Sequence, residues 1–214
     1  MNPLIRIDIA ITAVAVAACA SAPAGPSAAE LDRIAQEVIK VSFREQGIAK
    51  LDRIQQDAAQ AACSSDKPPS KVQARQIEAA ALASVKWPAD GRYLGDWRAG
   101  EALAQNGRGM TWTDAAGAPS GGNCYNCHQI SPAEISYGTI GPSLANYGKL
   151  RGVKSVTATE SAAIVQYTWA KIYNSKATNA CSGMPRFGHA GVLTEAQMRD
   201  VMALLLDPAS PVNQ

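Results

Sequence analysis

The chain has 214 residues, 47 % of them hydrophobic, with 20 Lys and Arg against 18 Asp and Glu and a formal net charge of +2. That length holds one ordinary domain with an extension, or two small domains, and the hydrophobic share is enough for a packed core. So small a net charge, with no basic cluster, excludes nucleic acid as a partner.

The N-terminus reads as an export signal. Arg6 is a thin positive region, and Ile9 to Ala20 is an apolar run of signal-peptide length, too short to span a bilayer. Small residues from Ala20 to Ala29 offer several cleavage positions. Residues 1–29 are therefore predicted to be removed, leaving a periplasmic chain with no transmembrane helix. Val16-Ala17-Ala18-Cys19 also resembles a lipobox, which offers Cys19 as a lipidated N-terminus instead.

Residues 30–62 show helical spacing: Leu31, Ile34 and Val38 share one face, and after Gly47 the series Ile48, Leu51, Ile54, Ala58, Ala61 continues. Cys63 to Pro69 is a loop. Ser70 with Gln73 forms a capping box that opens a third helix, ending near Trp87-Pro88. The stretch 30–89 carries no site residues and reads as a helical extension for packing or docking.

From Asp90 the composition changes. Asp96 caps a short helix through Gln105, and residues 107–123 form a loop rich in Gly and small polar residues. Thr157 with Glu160 predicts a capped helix through about Tyr173. Thr194 with Gln197 predicts another to Leu206, stapled by Leu193 and Met198 and stopped at Asp207-Pro208. No segment alternates as a strand does, so the fold class is all-α, with 90–214 as the second domain.

Between those helices lies Cys124-Tyr125-Asn126-Cys127-His128, the pattern C-x-x-C-H. Thiols three residues apart lie on one side of a single helical turn and can add to the two vinyl groups along one haem edge. The adjacent imidazole then reaches the iron from the proximal face. A thioredoxin-like pair would need a βαβ context, and a zinc site would need a second ligand pair at suitable spacing. The cofactor is one covalent haem c, which also supplies the bulk that 6 % aromatic residues leave missing.

The sixth iron ligand comes from Met110, Met184, Met198, Met202 or His189. Met198 and Met202 are four residues apart on the last helix, where a Met stripe packs a core. Met184 lies between two helices and is stiffened by Pro185, so it is the favoured ligand, with His189 as the alternative. A thioether ligand favours ferrous iron. Counting then leaves Cys63 and Cys181, an even pair in an exported chain. A disulfide between them would staple the extension to the loop carrying Met184. No acid, base or nucleophile is assigned, so the catalytic set is empty.

Residues 90–206 resemble a class I cytochrome c domain. Gly138-Thr139-Ile140-Gly141-Pro142-Ser143-Leu144 is similar to that family's loop after the haem motif. The resemblance implies that the Pro142 carbonyl accepts a hydrogen bond from His128 Nδ1. It also implies that Gly100 lets the helix of Met198, Val201 and Leu205 approach. Three segments, GGNCYNCH at 121–128, CSGMPRFG at 181–188 and LLLDPASPVN at 204–213, resemble the SoxX cytochromes of bacterial sulfur oxidation. That resemblance implies pairing with SoxA in a periplasmic SoxAX complex, which joins thiosulfate to a cysteine of the carrier SoxYZ. The thiol chemistry would sit on SoxA, and this chain would pass the released electrons to another cytochrome. A free electron carrier or a haem sensor is the rival reading.

Overall fold

A computed structural model describes residues 25–214, and the expected signal, including Cys19, lies outside the described residues except for its last five positions. The chain divides into two units, Met1–Phe43 and Arg44–Gln214. The described part of the first, residues 25–43, holds α1, Ala28–Ser42, whose N-cap Ser27 accepts from the Glu30 N–H.

The second unit holds α2 (Ala58–Cys63), α3 (Lys71–Ala83), α4 (Trp97–Gln105), α5 (Tyr147–Leu150), α6 (Ala162–Tyr173) and α7 (Glu195–Leu206), with short 3-10 turns between them. Among the described residues there is no strand beyond one isolated bridge, Gln46 to Ala49. The all-α expectation holds. No described helix is long and apolar enough to cross a membrane.

The expected continuous helix over 48–61 does not form. Gly47 takes a left-handed φ of 51°, where the chain turns. Leu51–Ile54 is a 3-10 turn, and a new helix starts only at Asp57, whose carboxylate and Gln60 make a capping box. Arg53 explains part of the break, because its guanidinium donates to the carbonyl of Met110 at 2.7 Å. The Ser70–Gln73 box forms as expected, although α3 ends at Ala83. The Thr194–Gln197 box also forms. The Thr157–Glu160 box does not: the Thr157 hydroxyl pairs with that of Ser155, and a 3-10 turn at Thr159–Ser161 leads into α6 without a side-chain cap.

The core lies between α4, α6 and α7. Trp169 of α6 is fully buried in the same core cluster as Val201, Leu204 and Leu206 of α7. Its indole N–H donates to the Lys86 carbonyl at 2.9 Å, which ties the end of the extension to α6. Tyr93 meets it edge-on, with ring centroids 5.6 Å apart. A Cβ on Gly100 of α4 would overlap the Asp200 carbonyl and crowd Leu204, so glycine sets the closeness of α4 and α7. The helix that carries Met198, Val201 and Leu205 thus approaches Gly100 as expected, through Asp200 and Leu204.

Candidate haem site

The C-x-x-C-H segment follows α4 and is anchored to its end. Gly122 N–H donates to the Leu103 carbonyl at 2.9 Å, and Asn123 N–H to that of Asn106 at 3.0 Å. Asn123 then turns through a left-handed conformation, and Cys124–Asn126 forms one 3-10 turn. The Cys124 carbonyl accepts from both Cys127 N–H at 3.1 Å and His128 N–H at 2.9 Å, so the two thiols and the imidazole leave the same tight turn.

The glycine-rich loop lies alongside. Gly138 N–H donates to Tyr125 O at 2.7 Å, Gly141 N–H to Cys127 O at 2.8 Å, and Leu144 N–H to Gln129 O at 2.7 Å. These bonds bring Pro142 beside His128, whose Nδ1 lies 2.7 Å from the Pro142 carbonyl oxygen. A carbonyl only accepts, so Nδ1 carries the proton and Nε2 keeps its lone pair for a metal. A Cβ on Gly141 would overlap the imidazole ring, which makes this glycine a cradle for His128.

These features fit a covalent haem. Cys124 and Cys127 are not bridged to each other. Burial pushes the Cys124 thiol up to about 12. Among the described residues no group of three or more His, Cys, Asp or Glu side chains could hold a metal ion of its own. The half-buried apolar side chains packed against the core include Leu103, Leu144, Val192 and Met184.

The ligand candidates lie in different settings. Met198 and Met202 are buried in α7. Met110 sits in a left-handed turn held by Arg53. His189 is exposed and lines a cavity of about 400 Å³ together with Ala58 of α2 and Ile77 of α3. Met184 is half-buried, and its carbonyl accepts from the buried Ser175 hydroxyl at 2.5 Å. Cys63 and Cys181 form a disulfide, with Cα atoms 5.4 Å apart and a sequence separation of 118. Sequence reasoning missed Ser175 and Lys171, whose amine donates to Ser182 Oγ at 3.3 Å; an isolated Ser or Lys in a helix end carries no signal.

The cytochrome c family model matches residues 98–207. A protein described as an uncharacterized lipoprotein from Aquifex aeolicus (strain VF5) is 38 % identical over 162 residues, covering 74 % of this chain and 73 % of that protein. The match spans the haem motif, the cradle loop and α4 to α7, and the chain therefore belongs to the cytochrome c family, as an electron-transfer protein with covalently attached haem c.

Proposed function

We propose that this chain is the monohaem subunit of a periplasmic SoxAX-type complex. Cys124 and Cys127 attach the haem, and His128 and Met184 ligate its iron. The bound haem supplies a one-electron iron couple. The chain's own residues fix that centre: Pro142 orients His128, Gly141 leaves the ring its place, and the 180–186 segment presents Met184. Electrons released when SoxA joins thiosulfate to a SoxYZ cysteine would pass through this chain to a downstream cytochrome.

The observation that carries the reading is the CSGMPRFG segment at 181–188 together with LLLDPASPVN at 204–213. The second is a folded element: Ser210, Val212 and Asn213 are buried against the end of α7. Export is supported by the apolar run before Cys19 and by the description of the Aquifex relative as a lipoprotein. The relative's name also favours acylation at Cys19.

The test is purification of the native protein followed by identification of what co-elutes. A stoichiometric second cytochrome, and haem reduction by thiosulfate that requires it and the SoxYZ carrier, support the reading. A monomer that receives electrons only from other soluble donors makes it a free carrier instead. Met184→Ala should abolish the weak near-infrared band of Met–iron coordination in the oxidised protein. Survival of that band would show that another residue is the ligand.

A further inference from the structure

The extension before the family-matched region sends three tethers to one short stretch of chain. Cys63, the last residue of α2, is bonded to Cys181. Glu78 of α3 accepts from the Ala180 N–H at 3.2 Å. Asp57, the cap of α2, pairs with Arg186 at 2.6 Å. All three land within residues 180–186, on both sides of Met184. From its other side the same stretch is held by Lys176 Nζ on the Ala180 carbonyl at 3.0 Å, Lys171 Nζ on Ser182 Oγ at 3.3 Å, and Ser175 Oγ on the Met184 carbonyl.

We propose that α2 and α3 are a clamp that positions Met184, so that the extension sets how firmly the haem iron keeps its sixth ligand. The inference rests on the assignment of Met184 as that ligand. A ligand carried on a loop is lost when the loop opens locally, and opening requires few contacts to break unless the loop is fastened elsewhere. Here a covalent bond, an ion pair and a backbone hydrogen bond, from three different positions of the extension, must all yield or move together. The cytochrome domain alone, residues 98–207, contains none of the three partners. Asp57, Cys63 and Glu78 are therefore positioning residues acting through the 180–186 stretch.

Exogenous imidazole reads the opening directly. It binds ferric iron only when the sixth position is vacated, so its apparent dissociation constant is the intrinsic constant divided by the open fraction. The full-length ferric holoprotein is titrated with imidazole alongside two variants. In Cys63→Ser with Cys181→Ser the apparent affinity should rise about tenfold or more; in Asp57→Asn with Glu78→Gln, about threefold or more. The second pair leaves the disulfide intact and keeps an amide at the α2 cap, so it decides the matter if the cysteine variant fails to fold. Imidazole affinity within about twofold of the parent in the folded variants, with only the unfolding midpoint lowered, would overturn the clamp and leave the extension a stability element. A near-infrared band that survives Met184→Ala, with all tethers intact, overturns the ligand assignment itself and the clamp with it. The two failures are thus seen in different variants.

Discussion

His128 Nδ1 stands 2.7 Å from the carbonyl oxygen of Pro142, fourteen residues further along the chain. The bond fixes the ring plane and leaves the Nε2 lone pair available, and Gly141 makes it possible because any Cβ there would occupy the imidazole's place. Gly141→Ala should therefore rotate or displace His128. The expected cost is about 1–3 kcal/mol of stability, typical of overpacking, with haem still attached through Cys124 and Cys127. Denaturation of the holoprotein measures the cost, and the ferric spectrum reports the ligand. Unchanged stability and spectrum would mean that the cradle does not confine the ring.

The Cys63–Cys181 disulfide closes a loop of more than a hundred residues, with a separation of 118. The chain-entropy model values such a closure at roughly 4–5 kcal/mol. Non-reducing peptide mapping of the native protein should yield one crosslinked peptide containing both cysteines. Cys63→Ser with Cys181→Ser should lose a large part of that stability in denaturant unfolding. Two free, alkylatable thiols under non-reducing conditions would refute the bridge.

Asp57 gives the second unit a pH-dependent contact. Burial works to raise its carboxyl, but the Gln60 backbone N–H and the Arg186 guanidinium outweigh burial and hold it below its ordinary value. A depressed carboxylate contributes stability above its unfolded value of about 3.9, and that contribution is lost as pH falls below it through the folded value. The side chain of Asp57 is 42 % exposed, so solvent screening keeps the contribution below about 1 kcal/mol. Asp57→Asn should flatten the stability profile between about pH 4 and pH 2 and leave the slope near neutrality unchanged. An unaltered acid limb would show that the Arg186 pair contributes nothing.

What the sequence made legible was mostly local, the Cys63–Cys181 disulfide being the long-range exception. Ser70 with Gln73 and Thr194 with Gln197 are three residues apart and closed as reciprocal caps, and the C-x-x-C-H spacing sits within one turn. The failures came from competition that spacing does not record. Thr157 found Ser155 before it could cap a helix. The apolar series through Leu51 and Ile54 has helical spacing, yet Gly47 turns the chain, and Arg53 is drawn to a carbonyl 57 residues away. The grip of Glu78 on Ala180 spans 102 residues, and no pattern in either segment announces it. In the candidate site, the C-x-x-C-H residues are readable as a motif and the Cys63–Cys181 pair by counting; the other side chains that hold the 180–186 stretch, such as Asp57, Glu78 and Ser175, are brought together only by the fold.

Asn213 carries the last prediction. Its side-chain oxygen accepts from Gly148 N–H at 2.9 Å and Lys149 N–H at 3.1 Å, and its amide nitrogen donates to Leu205 O at 3.1 Å and Asp207 O at 2.9 Å. One buried amide thus satisfies two N–H groups in the first turn of α5 and the Leu205 carbonyl in the last turn of α7, which otherwise lack helical partners, and it shares the Asp207 carbonyl with the Ser210 N–H. Asn213→Ala leaves the Gly148 and Lys149 N–H groups and the Leu205 carbonyl unpaired and should cost about 1–3 kcal/mol. Asn213→Asp keeps the acceptor but replaces the donor by a second oxygen facing two carbonyls, so it should destabilise the protein at neutral pH and recover part of the loss when the carboxyl is protonated. Guanidinium unfolding of both variants at neutral and acidic pH measures the two effects. If Asn213→Ala unfolds with the parent, α7 does not depend on this clasp. If Asn213→Asp shows the same deficit at both pH values, the amide donor is not what matters at this position.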